Sequence, residues 1–351
     1  MVRLGSHDYV QTLRGQTLRF PNLAHPMKDW PKGMNPHYED LRLVEHIELK
    51  KLVGWGKAYD MCVSTDCPYF AATWFPKASW DRVWLGAQVC TFLYLWDDAT
   101  DTPELTNMVN DLDASNQFRE ETRKQIDRYL GDKPLLGVAT DSHLPPAVRS
   151  FDRIGETFAF RMTRGQRVQV SNELHKYVDA CEAEQLSELR GQAPTIEEYL
   201  QRRLGTSAVG FVIACLEYIL GIDLGDTIRN DQYVKAVFDE TVFIIAIVND
   251  ILSLRRELRY PFYNNAVAVL YHQHQSLQKA VDETYRLILR SIKKLEDAAK
   301  RALERYPERQ GLATWIEGCK TMCTGNVAWS LHNGRYALGV EALDGTTTIT
   351  L

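Results

Sequence analysis

Apolar side chains recur every three or four residues along most of the chain, which is the period of an amphipathic helix. The pattern predicts helices over 79–100, 105–130, 146–164, 167–190, 231–258, 264–305 and 311–332. A further periodic stretch begins at Tyr38, runs past Trp55 and is interrupted near Pro68. Strand signals are absent apart from a threonine-rich segment at 346–350. The expected fold is therefore all-α.

Local signals place one further helix and the ends of the domain. Thr195 and Glu198 form the capping box that begins a helix, and Gly205 and Gly210 favour a break near the apolar run at 208–220. Repeated prolines disfavour regular structure near the N-terminus, so that region is expected to be a tail or a strap over the domain. The expected organisation is an N-terminal strap (1–36), one helical domain (37–340) and a short C-terminal tail (341–351).

Composition and charge narrow the class of protein. With 351 residues and a net charge of −5, the chain gives no reason to expect a nucleic-acid partner. Its seven cysteines lie mostly in apolar context and lack histidines at zinc-finger spacing, as expected of reduced thiols in the cytoplasm. The first 21 residues lack the apolar core of a signal peptide. The longest apolar stretches, 208–216 and 242–248, are too short to span a membrane.

Three carboxylates lie at the end of the helix predicted over 79–100. Asp97 and Asp101 are four residues apart, so a helix places them on one face, where like charges repel by roughly 0.2–0.5 kcal/mol. Carboxylate oxygens suit Mg²⁺, which retains several waters and shares its other positions with a substrate phosphate. Asp98 points about 100° away from Asp97 and is expected to hold a basic side chain. Taken alone, the motif could equally be a solvated acidic face.

A second set of oxygen ligands follows the apolar run at 242–248. Asn249, Ser253 and Glu257 lie at i, i+4 and i+8, which keeps them within about 40° of one another around a helix. An amide oxygen, a hydroxyl and a carboxylate together suit a hard divalent cation. The alternative is a helix with a core first half and a polar surface second half. Asn and Ser weaken that alternative, because they form helices less well than Ala.

Together the two motifs resemble the metal-binding pair of class I terpene synthases, in order and in the long helical interval between them. The motifs are Asp97-Asp98-x-x-Asp101 and Asn249-Asp250-x-x-Ser253-x-x-x-Glu257. Two supporting segments are similar to the family's, namely Pro194-Thr195-x-x-Glu198-Tyr199-Leu200 and Gly325-Asn326-x-x-Trp329-Ser330 leading to Arg335-Tyr336. The resemblance covers residues 70 to 336 approximately, and is closest to single-domain fungal or bacterial cyclases. It implies a helical bundle whose metal motifs face each other across the mouth of a deep central cavity.

The resemblance implies ionisation of a prenyl diphosphate that is held by three Mg²⁺ ions and by fixed arginines. The implied metal ligands are Asp97, Asp101, Asn249, Ser253 and Glu257. The implied diphosphate ligands are Arg203, Arg256, Arg335 and Tyr336. Arg203 precedes Asn249 by 46 residues, the spacing of the sensor arginine in many bacterial members, and Arg202 is the alternative. The implied walls of the apolar pocket are Trp329, Tyr94, Leu93 and Trp74, with Phe75 a further candidate.

Several features of the reaction stay open at the level of sequence. Thr206 and Ser207 stand where the family often has Asp and Gly at a helix break. A single domain favours farnesyl diphosphate and a sesquiterpene hydrocarbon or alcohol, and the alternative is a diterpene cyclase acting on geranylgeranyl diphosphate. A chain-elongating prenyltransferase would carry a second Asp-rich motif instead of Asn249, Ser253 and Glu257. An inactive helical scaffold is the remaining alternative, and a homodimer is the expected form of any self-association.

Overall fold

Helices account for nearly all regular structure in the part of the chain that the computed structural model describes, which is residues 12–137, 141–190, 193–259, 264–339, 345 and 347–351. The all-α prediction is confirmed for these residues. The helices are α1 (Tyr38–Val53), α2 (Lys57–Thr65), α3 (Cys67–Trp74), α4 (Trp80–Asp101), α5 (Leu112–Leu130), α6 (Pro146–Arg149), α7 (Phe151–Arg161), α8 (Arg164–Leu189), α9 (Ile196–Thr206), α10 (Val209–Leu220), α11 (Asp226–Arg229), α12 (Gln232–Glu257), α13 (Ala266–His274), α14 (Leu277–Arg305) and α15 (Gln310–His332).

The long predicted helices agree with α4, α8, α12 and α15 to within about three residues at each end. The single helix predicted over 264–305 is wrong, because the structure has two helices there, α13 and α14. Gln275 lies between them with φ 55°, a left-handed conformation that an α-helix cannot continue through. The helix predicted over 146–164 is likewise two, α6 and α7.

The N-terminal region contains a strand that its prolines did not suggest. Thr17–Arg19 forms β1, which pairs antiparallel with β2 (Thr348–Thr350), so the strand signal in the C-terminal segment is confirmed. The side chains of Leu18 and Phe20 are buried, and the Gln278 side chain on α14 accepts a hydrogen bond from the Arg19 amide at 2.9 Å. The prediction that this region has no regular structure is therefore wrong in part. The division into strap, domain and tail stays a prediction, and its boundary at 340 lies outside the described residues.

The predicted capping box positions the helix that carries Arg203, the predicted sensor arginine. The Glu198 amide donates to Thr195 Oγ1 at 3.2 Å, and the Thr195 amide donates to Glu198 Oε2 at 2.8 Å. The α9 helix then ends at Thr206, and Ala208 takes φ 56° before α10 begins. The predicted break therefore exists, and it falls between the two glycines that suggested it.

One helical stretch among the described residues, Ile196–Leu220, is long and apolar enough to cross a membrane by composition. The structure buries 72% of its most apolar window inside the protein. Left-handed Ala208 also divides the stretch into α9 and α10. Packing in the core therefore accounts for its apolar character.

Candidate active site

A cavity of about 220 Å³ lies among α3, α4, α8, α9, α12 and α15, and both predicted metal motifs reach it. The predicted site residues that line it are Asp97, Asp101, Asn249, Glu257, Arg203, Arg256, Arg335, Tyr336, Trp329, Tyr94, Leu93 and Trp74. Three other candidates, Ser253, Arg202 and Phe75, are not part of the lining that the described residues form. The structure thus brings together side chains that are up to 262 positions apart in the sequence between Trp74 and Tyr336.

The three carboxylates of the first motif all line the cavity, but they differ in burial, because Asp98 is buried and the other two are not. The Asp97 side chain lines the cavity, and its Oδ2 is 3.5 Å from Arg335 Nη2. The Asp98 side chain is buried, and Arg335 donates to it from both terminal nitrogens, at 2.8 and 2.6 Å. Arg256 Nη2 donates to the same carboxylate at 3.3 Å. Asp98 therefore holds two of the predicted diphosphate arginines, as its orientation on the helix suggested.

The second motif repeats this difference in burial. Asp250 is fully buried beside Arg203, the arginine on α9, and the Oδ1 atom of Asp250 accepts a hydrogen bond from Arg203 Nε at 2.9 Å. Its Oδ2 accepts from the Tyr199 hydroxyl at 2.6 Å and from the Ala266 amide at 3.0 Å. Asn249 is the cavity residue of the pair. Its Oδ1 accepts from Arg203 Nη2 at 2.9 Å, and its Nδ2 donates to the Tyr336 hydroxyl.

Ser253 and Glu257 complete the second motif in different ways. The Ser253 hydroxyl donates to the Asn249 carbonyl oxygen at 2.8 Å, so it is turned toward its own helix instead of the cavity. Glu257 lines the cavity, and its Oε2 accepts from Asn265 Nδ2 at 2.7 Å. Only Asn249 and Glu257 of this motif thus present oxygen atoms to the cavity in the structure described.

The electrostatics of the cavity mouth fit a divalent cation. Desolvation at the cavity mouth raises the pKa of the Asp101 carboxyl, whose residue is still exposed to solvent, and the negative charges of Asp97, Glu184 and Glu188 raise it further. Burial also raises the pKa values of Asp97 and Glu257, although Arg335 offsets part of this effect at Asp97 and Arg203 at Glu257. The arginines thus offset the desolvation of these carboxylates only in part, and a bound cation would favour their charged form. Because all the donors are oxygen atoms, the site suits a hard divalent cation such as Mg²⁺.

Two acidic residues on α8 were not predicted as part of the site. Glu184 and Glu188 are four residues apart and line the cavity near Asp101. Arg202 Nε lies 3.4 Å from Glu184 Oε1, so Arg202 points toward α8 and only Arg203 reaches the second motif. Burial, and then the charge of Glu184, raise the pKa of Glu188 to about 8. Glu184 and Glu188 have the same four-residue spacing as Asp97 and Asp101, but other acidic residues on α8 hid this pair in the sequence pattern.

Aromatic side chains form the apolar wall. Phe70 stacks on Trp74 with ring centroids 4.0 Å apart and meets Trp329 edge-on at 5.6 Å. The Trp329 indole donates to the Thr65 carbonyl oxygen at 2.7 Å. The guanidinium of Arg335 lies 4.6 Å from the centroid of the Tyr94 ring, at the boundary between wall and mouth. Phe75, by contrast, packs against α4 where Gly86 leaves room for its ring.

Comparison with known families places both motifs inside one conserved module. The family described as terpene synthase family 2, C-terminal metal binding, matches residues 88–294, a range that contains both Asp97 and Asn249. The match covers more than half of the chain.

Two curated relatives extend the similarity to nearly the whole chain. The sesquiterpene cyclase hepA of Aspergillus oryzae is 30% identical over 353 aligned positions, which cover 97% of this chain and 94% of the relative. The (+)-eremophilene synthase of Sorangium cellulosum is 23% identical and covers 86% of this chain and 88% of its own.

Two solved structures share the fold. A hedycaryol synthase in complex with HEPES superposes with a TM-score of 0.70 at 20% identity, over 86% of this chain and 95% of the other. The germacradien-4-ol synthase of Streptomyces citricolor gives 0.69 at 19% identity, over 86% and 96%. Both confirm the helical bundle. The family match and the hepA similarity show that the chain belongs to the terpene synthase family, as a metal-binding class I terpene cyclase and thus a carbon–oxygen lyase.

Proposed function

We propose that this cyclase ionises farnesyl diphosphate with Mg²⁺, releases diphosphate and cyclises the allylic cation to a sesquiterpene hydrocarbon or alcohol. The observation that carries the proposal is the meeting of the Asp97 and Asn249 motifs at the mouth of one apolar cavity, with three arginines fixed beside them. The relatives support the C15 substrate, since hepA is named a sesquiterpene cyclase.

The metal would be held from two helices. Asp97 and Asp101 on α4 and Asn249 and Glu257 on α12 supply the oxygen ligands, and three Mg²⁺ ions are proposed with the bound diphosphate. Ser253 joins this set by rotation about its Cα–Cβ bond, away from the Asn249 carbonyl. When bound, Mg²⁺ neutralises the diphosphate and makes it a better leaving group.

The arginines bind and orient the leaving group. Arg203, Arg256 and Arg335 keep their charge at any working pH and can each donate two parallel hydrogen bonds to phosphate oxygens. Asp250 and Asp98 fix these guanidinium groups before the substrate arrives, so little reorganisation remains as negative charge develops on the departing diphosphate. The Tyr336 hydroxyl, bonded to Asn249, lies beside them.

The cavity shelters the cation. Trp329, Tyr94, Trp74 and Leu93 exclude bulk water, and the π faces of the three aromatic residues stabilise positive charge by about 0.5–2 kcal/mol each. A volume of about 220 Å³ is at the small end for ligand pockets, which hold roughly 300–1,000 Å³. A small cavity favours farnesyl over geranylgeranyl diphosphate.

Product analysis with purified enzyme tests the proposal. With Mg²⁺ and farnesyl diphosphate alone, we expect diphosphate release and one or more cyclic C15 products by gas chromatography with mass spectrometry. Asp97→Ala and Asn249→Ala should each reduce diphosphate release at least about 100-fold, the cost of about 2.7 kcal/mol of transition-state stabilisation. Asp239→Ala, on the same helix as Asn249 but outside the cavity lining, is the control.

Equal activity in all three variants would contradict the site assignment. Linear products that form only with isopentenyl diphosphate would instead identify a prenyltransferase, and faster turnover of geranylgeranyl diphosphate would identify a diterpene cyclase.

We also propose a cytoplasmic location and a homodimer. The structure contains seven free cysteines, which fits a reducing compartment. Size-exclusion chromatography with light scattering measures the oligomeric state directly.

A further inference from the structure

Two tryptophans line the apolar wall of the cavity, and they differ in one hydrogen bond. The Trp329 Nε1–H donates to the Thr65 carbonyl oxygen at 2.7 Å. The Trp74 Nε1–H is buried and has no hydrogen-bond acceptor among the described residues. An unpaired buried donor is costly, and indole nitrogen can only donate. A molecule bound in the cavity that Trp74 lines would supply the missing acceptor.

The position of Trp74 shows that this acceptor is not the diphosphate. Its indole edge rests against α15 at Gly325, where Trp74 Cδ1 would lie 3.0 Å from an added Cβ. Gly325 precedes the end of α15 at His332 by two turns, or roughly 10 Å of helix. The arginine that holds the diphosphate, Arg335, lies beyond that end. Trp74 therefore lies deep in the cavity, beside the hydrocarbon part of the substrate, which has no acceptor.

The same wall offers further polar partners for a small molecule. Asn326 follows Gly325 on α15 and also lines the cavity, while its Nδ2 donates to the Ile245 carbonyl oxygen at 3.4 Å. Among the described residues, no hydrogen bond to the Asn326 amide oxygen occupies that acceptor. The Thr206 hydroxyl, on the opposite side at the helix break, is likewise buried without a partner. A buried water needs two to four such partners.

We infer that Trp74 and Asn326 hold one water molecule in the cavity and that this water quenches the final carbocation, so that the main product is a sesquiterpene alcohol. The inference rests on the proposed function and names its product class. The water oxygen forms the new C–O bond with the cationic carbon. The resulting oxonium loses one proton, and the diphosphate released by ionisation is the base that takes it up. One water is consumed, and no oxidant or reductant is needed.

Turnover of farnesyl diphosphate in ¹⁸O-labelled water tests the inference. We expect the main product to be an alcohol whose mass rises by two units, because its oxygen comes from the solvent. In Trp74→Phe, the alcohol-to-hydrocarbon ratio should fall about fivefold or more, which is the effect of losing one hydrogen bond to the water. The ratio is compared within each variant, so a general loss of activity does not affect it.

Trp96→Phe is the matched control, because it also removes a buried indole, but one whose N–H donates to Thr122 Oγ1 at 2.9 Å and which is not part of the cavity lining that the described residues form. Its product ratio should stay within twofold of that of the native enzyme. Hydrocarbon as the main native product, or an equal change of ratio in both variants, would overturn the inference while leaving the cyclase proposal intact. Absence of diphosphate release from the native enzyme would overturn both.

Discussion

Replacing Asp98 by asparagine isolates the role of the carboxylate that orients two arginines. Asp98 lies about 100° around α4 from Asp97, and its side chain is only 6% exposed. It accepts two hydrogen bonds from Arg335, at 2.8 and 2.6 Å, and one from Arg256 at 3.3 Å. Asparagine keeps the shape but removes the charge and one acceptor. The Arg335 guanidinium, whose side chain is 3% exposed, would then be a buried cation without its main partner.

The expected magnitudes follow from this geometry. Breaking a buried ion pair by changing one partner costs about 3–5 kcal/mol of stability. Against a typical total of roughly 5–15 kcal/mol, the variant should still fold at 25 °C. Misplacing Arg335 should weaken stabilisation of the departing diphosphate by about 2.7 kcal/mol, the lower value for loss of one such group, and so reduce kcat/KM about 100-fold.

A matched pair of variants separates catalysis from stability. Glu217→Gln disrupts another buried bidentate arginine pair, with Arg229 at 2.8 and 2.9 Å, but Glu217 lies outside the cavity lining. Both variants should lose stability in urea denaturation, and only Asp98→Asn should lose kcat/KM for diphosphate release well below its melting temperature. If Asp98→Asn keeps kcat/KM within threefold of native while losing stability, the orientation of Arg335 is not needed for ionisation.

Three further predictions concern single residues. Arg203→Lys should lower kcat/KM about 100-fold, because a lysine cannot reach both Asp250 and Asn249, the two acceptors of Arg203 on α12. Arg202→Lys is the control and should keep kcat/KM within threefold of native. Equal losses in the two variants would contradict the assignment of Arg203 as the sensor. Burial raises the pKa of Glu45 to about 8, so the ionised form of this carboxyl destabilises the folded protein. This destabilisation is absent below about pH 4.5 and grows as the pH rises through 8. In urea denaturation, the free energy of unfolding of the native protein should fall by up to about 3 kcal/mol between pH 6 and 9, and Glu45→Gln should remove this fall. Glu48→Gln is the control: the Glu48 carboxyl is ion-paired and its pKa is lowered, so the fall should persist in that variant. Gly325→Ala should lower the free energy of unfolding by about 1–3 kcal/mol in the same assay, because the new Cβ would lie 2.6 Å from a carbonyl oxygen of α3. Unchanged stability would show that α3 and α15 separate easily.

The parts of the fold that follow from periodicity were predictable, and the breaks in it were only partly so. The helices that carry Asp97 and Asn249 have long uninterrupted apolar rows, and their ends agree with the structure to within about three residues. Gln275 broke a predicted helix without any sequence signal, since glutamine is a good helix former and rarely takes a positive φ. The strand Thr17–Arg19 is formed by its pairing with residues 348–350, a contact that no local pattern reveals.

The site shows the same limit at the level of side chains. Oxygen-bearing residues at helical spacing predicted which face of each helix is polar, and the resemblance to terpene synthases implied that the two faces meet. The structure brings Asp97, Asn249 and Glu257 to one cavity. Periodicity says nothing about rotamers, so the Ser253 hydroxyl, which bonds to its own helix, could not be distinguished from a ligand facing the cavity. Glu184 was missed for a related reason, because only the approach of α8 to α4 turns an ordinary acidic surface position into part of the cavity mouth.

The two motifs use adjacent residues for different tasks. Asp98 and Asp250, each rotated about 100° around its helix from Asp97 and Asn249, are buried and hold Arg335 and Arg203. Arg335 also lies 3.5 Å from Asp97, and Arg203 donates to Asn249 at 2.9 Å, so a metal ion bound by Asp97 and Asn249 would compete for these contacts. The buried partners Asp98 and Asp250 would then keep each arginine in place. The pKa values of Asp97 and Asp101 fit this division, since desolvation raises both and Arg335, which is held mainly by Asp98, offsets the rise at Asp97 only in part. A divalent ion at the cavity mouth would favour the charged form of both carboxylates, which is the form that binds it.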